Sequence, residues 1–329
     1  SGHGGFAARG GDFDVILNDG AQITWSATNG FQGFNLYLNS TSATHVTTLH
    51  NPLMVNGTYG LRVFDNPFTN SDYARLTGTI AMDNTTRILP KVEAGMVWLT
   101  GTNTFAGRLQ IDDGVVRAID GVGLPSAAIL YLNSSAQGIR SCGVLESSGT
   151  FARNIGTGAG QVYWNAGGGF SAFGGPLQIS LNGGAVISWS ATAGFRGQNL
   201  VSGGQTADEV ATLVNPVNLE ANRLIYVWDN TNSPVDAFKM AGTIANGGAG
   251  NFGIFKYGDG VLWLTGTNTF TGGISNFNGV VRFVDGVGIP ATSSMRLSGG
   301  NVTPCVFETS GTLTRNLGMG AGDIHWFAG

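Results

Sequence analysis

Four carboxylates recur along the 329-residue chain: Asp65 with Asp229, Asp72 with Asp236, Asp120 with Asp285, and Glu146 with Glu308. Two arginines recur with them, Arg117 with Arg282 and Arg153 with Arg315. Paired carboxyls held across a cleft do the acid and nucleophile work of glycoside hydrolysis, so a polysaccharide-active enzyme is one reading of this set. Duplication of a catalytic pair in successive modules is unusual, however. Acids that travel with arginines fit ion pairs and turn-amide acceptors better, and the expectation is no enzyme.

Asp65, Asn66, Asn70 and Asp72, echoed by Asp229, Asn230, Asn232 and Asp236, place oxygen donors on one loop and raise calcium as a ligand. Their spacing fits neither the EF-hand loop nor the Gly-Asp nonapeptide, which leaves a solvated loop as the main expectation. His3, His45, His50 and His325 have no metal-ligand spacing, so surface roles are expected of them. The phrases GTGAG from Gly156 and GMGAG from Gly318 lack both the lysine and the following helix of a phosphate loop. Cys142 and Cys305 read as buried thiols rather than a bridge. No cofactor is expected. The aromatics carry the last candidate chemistry: Trp25 with Trp189, Trp98 with Trp263, Trp164 with Trp326, and Phe105 with Phe270. Recurrence in alternating segments favours a stacked core for them, with Trp98, Trp263, Phe105 and Phe270 buried. A sugar-binding face is the competing reading.

These residues recur because the chain is a tandem duplication. GGFAARGGDFDVILNDG from Gly4 meets GGFSAFGGPLQISLNGG from Gly168, GMVWLTGTNTFAG from Gly95 meets GVLWLTGTNTFTG from Gly260, and LESSGTFARN from Leu145 meets FETSGTLTRN from Phe307. The offsets are 164, 165 and 162, which divides the chain into units 1–166 and 167–329. Within each unit the apolar period is two, as in VILNDGAQITW and MVWLTGTNTF, and Gly, Asn and Asp punctuate the runs. This predicts an all-β fold, either two sandwiches or a β-solenoid. Lys91, Lys239 and Lys256 are the only lysines. Few strand edges are then guarded, which favours a solenoid of about seven coils per unit with about 20–25 residues each.

Composition narrows the partners. Charged residues make up 11% and the formal net charge is −4, so nucleic acid finds no positive field. No segment reaches the ~18 uninterrupted apolar residues of a membrane span, and the residues from Ser1 lack a leader's pattern, so a secreted chain is expected to be a mature piece. The first residues, SGHGGFAARGG, could follow DIHWFAG much as the second unit follows the first. Further copies of the chain, joined head to tail, are therefore the expected partner, with Ser1–Gly11 and Asp323–Gly329 at the joint and Phe6 and Trp326 as anchors.

The segments GMVWLTGTNTFAGRLQIDDGVVR and GVLWLTGTNTFTGGISNFNGVVR resemble the autotransporter-associated β-strand repeat, also called the passenger-associated repeat. Gly95, Leu99, Gly101, Asn103, Thr104, Phe105 and Gly107 match its pattern, as do Gly260, Leu264, Gly266, Asn268, Thr269, Phe270 and Gly272. The resemblance implies a right-handed parallel β-helix at the cell surface, and no translocator barrel is expected within these 329 residues. Beside it, Val97, Leu99 and Phe105 read as an inward row, Asn103 as a turn residue, and Gly101 and Gly107 as corners. The function expected is a structural module of an extracellular fibre, stalk or array. An adhesin passenger binding glycans through loops such as 39–50 and 202–209 comes second, and an enzyme third.

Overall fold

The structure is a computed structural model that describes all residues except 1–2, 27–30, 135–137, 139–142, 191–193, 198, 300–303 and 328–329. Cys142 lies outside the described residues. Contacts divide the chain into two compact units, Ser1–Ser147 with Asn154–Gly169, and Ser148–Arg153 with Phe170–Gly329.

The first unit is a parallel β-helix. Seven strands form one face in the order His3–Phe6, Asn35–Leu38, Gly60–Val63, Ile88–Val92, Arg108–Ile111, Ile129–Leu132 and Val162–Trp164. A second face stacks Phe13–Val15, Thr47–Leu49, Ala74–Leu76, Met96–Leu99, Val115–Arg117 and the strand that starts at Val144, all parallel. Early coils add a short third face, Ile23–Trp25, Leu53–Val55 and Ile80–Met82. The second unit repeats the plan. Asn199–Gly203 is followed on its face by Arg223–Trp228, Ile254–Tyr257, Ile274–Asn276, Met295–Leu297 and Ile324–Trp326. The other long face carries Val210–Leu213, Ala237–Met240, Val261–Leu264, Gly279–Phe283 and Cys305–Glu308. Ile187–Trp189, Val217–Leu219 and Ile244–Asn246 make the short one. The expected β-solenoid is therefore the fold of each unit, and no α-helix occurs among the described residues.

Alternation explains why these segments are strands. In MVWL, Val97 and Leu99 point inward and are at most 2% exposed, and the Val97 column continues through Val116 and Leu145. The tight corners predicted from Asn-Asp-Gly punctuation form at Asn18–Gly20 and Asn182–Gly184, where Asp19 and Gly183 adopt φ of 53° and 64°. Coil length departs from the expectation. Met96 stacks under Val115 after 19 residues, whereas Phe13 stacks under Thr47 after 34. The minimal coil has two faces and two corners; a third strand or a loop lengthens the others. The seven-stranded face marks seven coils, the number expected, joined by six steps of unequal length.

Candidate functional site

The recurring acids do meet arginines. Arg117 Nε donates to Glu146 at 2.6 Å in a buried pair, Arg282 Nε donates to Glu308 at 2.7 Å in an exposed one, and Arg315 is bonded to Asp285. Both glutamate pairs span adjacent coils in register, Arg117 with Glu146 and Arg282 with Glu308. The loop acids turn to the backbone instead. Asp72 accepts from the Asn66 N–H at 2.6 Å and Asp236 from the Asn230 N–H at 2.9 Å, while the Asn66 and Asn230 side chains donate to the Ala43 and Ala207 carbonyls. No group of three or more His, Cys, Asp or Glu able to hold a metal occurs among the described residues.

Burial pushes the Asp236 carboxyl up to about 6, against the Asn230 hydrogen bond that lowers it. The folded chain therefore binds more protons than the unfolded one between about pH 4 and 6. Stability from this group is present below that window and lost as pH rises through it. Asp236→Asn removes the titration, so its Tm relative to wild type is expected to be several degrees more favourable at pH 7.5 than at pH 4.5 by scanning calorimetry. An identical difference at both pH values would refute this.

The asparagine of the Gly-x-Asn-Thr-Phe pattern ties coils together. Asn103 accepts from the Ile80 N–H at 2.7 Å and donates to the Gly123 carbonyl at 2.7 Å; Asn268 does the same with Ile244 and Gly288, at 2.7 and 2.8 Å. Each spans three coils and is nearly buried. The glycine ahead of it is needed for close approach rather than for a left-handed corner. A Cβ on Gly101 would lie 2.4 Å from the Gly78 carbonyl oxygen, and one on Gly266 2.2 Å from that of Gly242. Asn51 and Asn215, a recurring pair to which the sequence assigned no role, cap the early corners. Each accepts one main-chain N–H and donates to two carbonyls.

The aromatics separate into two classes. Trp25, Phe105, Trp164, Trp189 and Phe270 are at most 3% exposed. Trp98 and Trp263, expected to be buried, are only half-buried. Each stands one residue out of phase with inward Leu99 or Leu264 and so projects from the outer face. Neighbouring coils cover their rings with cations: Arg75 and Arg117 lie 5.2 and 5.1 Å from the Trp98 centroid, and Lys239 and Arg282 lie 4.7 and 5.5 Å from that of Trp263. Stacked between cations, these indoles separate like charges along the ladder.

Two of the three lysines guard no edge. Lys91 and Lys256 are 0% exposed and point into the core. Lys91 Nζ donates to the Glu93 and Asp113 carbonyls at 2.6 and 2.9 Å, and Lys256 Nζ to those of Gly258, Gly260 and Asn278. Burial pushes the Lys256 ammonium down to about 7, opposed by Asp259 and Asp229. A lysine in an apolar strand otherwise looks like an edge guard, so only the φ-positive corners beside it could have signalled the cradle. His325, expected at the surface, is 3% exposed and packs edge-on against Phe327.

The last coil presents an apolar groove of about 520 Å³ lined by Met295, Leu297, Phe307, Leu313, Ile324 and Trp326, among others. Of the expected anchors, Trp326 is 75% exposed and Phe6 is half-buried beside Phe13, with ring centroids 6.2 Å apart. No curated protein and no solved structure matches the chain. The family model of the passenger-associated-transport-repeat matches residues 91–118 and 254–276. The chain thus carries two stretches of passenger-associated-transport-repeat, the repeat type of autotransporter passenger-like surface proteins, and both begin in the strand that holds a buried lysine.

Proposed function

We propose that the chain is a structural module of an extracellular bacterial fibre, stalk or surface array, in which copies stack head to tail through their first and last coils. The observation that supports this is a difference between duplicate positions. Trp164 is 3% exposed and its duplicate Trp326 is 75%; Phe151 is 0% and Leu313 is 37%. In the first coil the asymmetry reverses, with Phe13 at 41% and its duplicate Leu177 at 1%. The open members are all apolar and fall in the first and last coils. There, among the described residues, His3–Phe6, Phe13–Val15, Cys305–Glu308 and Ile324–Trp326 each pair on one side only. Unpaired edges of this kind template further strands.

The adhesin alternative needs exposed loops. Within 39–50 only Thr41 and Ser42 are fully exposed, and 202–209 are buried or half-buried. The outward Trp98 and Trp263 offer no open ring face to a sugar, because cations occupy them. The passenger repeats, which accompany surface-directed segments, support export.

Trp326→Asp puts a charge into the apolar groove and is expected to weaken end-to-end association by roughly 30-fold or more, the effect of losing a central aromatic anchor. Sedimentation velocity and particle length in electron micrographs read this out. Unchanged assembly would reject the joint, and glycan binding by a monomeric chain would favour the adhesin.

A further inference from the structure

We infer that the corner of each passenger repeat is a cation site made of main-chain carbonyls, specific for a primary ammonium, and that the chain fills it with its own lysine. The placement of the two lysines carries the inference. Lys91 sits in an inward column between Leu61 and Ile111, and Lys256 between Ile225 and Asn276; all six are 0% exposed. Each ammonium leaves that column and reaches the turn of its own coil, at Glu93 or at Gly258 and Gly260. It also reaches the turn of the next coil, at Asp113 or Asn278.

The carbonyls converge because the backbone turns left-handed beside them. Glu93 and Gly258 have φ of 70° and 80°, and Gly114 and Gly279, which follow Asp113 and Asn278, have φ of 66° and 65°. A Cβ on Gly114 would lie 2.6 Å from Lys91 Nζ, so the glycine leaves room for the ammonium. An ammonium supplies three N–H donors to such a ring; the Gly260 carbonyl also accepts from the Val280 N–H at 3.2 Å, so there the ammonium adds a second donor. Neutral carbonyl ligands suit a monovalent cation, and the donor geometry suits one that hydrogen-bonds. The same lysine at the same position of both copies makes the site a property of the repeat corner. It also gives the corner a clamp between successive coils.

The test uses the full chain. Lys256→Met is expected to lower Tm by about 5–10 °C, whereas Lys239→Met, which removes only an outer-face cation, changes it by no more than about 3 °C. Lys256→Ala deletes the atoms of n-propylamine. Refolding that variant in n-propylammonium chloride is expected to recover Tm by several degrees beyond any change in the wild type, and tetramethylammonium or sodium chloride is not. Equal shifts in variant and wild type, or no shift, would overturn the site. If Lys256→Ala does not fold under any of these salts, the wild type decides. With ¹⁵N-lysine labelling at pH 6, two of the three Nζ signals are expected as slowly exchanging ammonium groups, and three fast-exchanging signals overturn the inference.

Discussion

Replacing Glu146 with alanine is expected to lower the unfolding free energy by about 3–5 kcal/mol, and the same replacement at Glu308 by less than about 1 kcal/mol. The two residues are duplicates and make the same contact, Arg117 Nε to Glu146 and Arg282 Nε to Glu308. What differs is water. The Arg117 and Glu146 side chains are 6% and 0% exposed, those of Arg282 and Glu308 38% and 48%. Removing one partner of a buried pair strands the other charge in a medium that cannot solvate it, and Arg117 is held there by the Trp98 ring 5.1 Å away. Removing Glu308 returns Arg282 to solvent. Urea denaturation of the two variants compares one substitution in two settings within the same molecule. Equal losses would show that burial does not set the value of this ladder.

That contrast also marks how far the sequence could be read. Strand period, corners and duplication follow from local pattern, because alternation at Val97 and Leu99 and the φ-positive Asn-Asp-Gly turn are properties of a few adjacent residues. The pairing of recurring acids with recurring arginines was legible too, since both had to share the repeat frame. Two copies of one residue have the same letter whether a coil covers them or not, so Glu146 and Glu308, or Trp164 and Trp326, look alike in the sequence and differ in burial. Lys91 is hidden for a different reason. Its stem satisfies the inward column while its amine satisfies a turn, and a one-letter reading of lysine as polar misses the first half. The outward position of Trp98 is legible as well, because the inward assignment of Val97 and Leu99 already turns it outward.

The same phase rule yields the second large effect. Trp189→Ala is expected to cost about 3–5 kcal/mol, while Trp263→Ala costs about 1 kcal/mol or less. Trp189 is 1% exposed and shares its strand face with inward Ile187. Its indole N–H donates to the Gly197 carbonyl at 2.5 Å, its ring meets Phe195 edge-on at 5.3 Å, and the Arg223 guanidinium lies 5.7 Å from its centroid while bonding the Trp189 carbonyl. Truncation leaves a cavity the size of an indole, an unpaired carbonyl and a guanidinium without its ring. Trp25 repeats the arrangement, with Gly33 as acceptor at 2.6 Å and Tyr59, the residue at the duplicate position of Arg223, stacked at 5.3 Å. A corner anchored this way in both copies ties the third face to the core. Loss of Trp263 removes only an outer spacer between Lys239 and Arg282, and water can screen the two cations that remain. Equilibrium unfolding followed by far-UV circular dichroism separates the cases. A Trp263→Ala variant as unstable as Trp189→Ala would mean that the outer ladder, rather than the inward columns, holds the coils together.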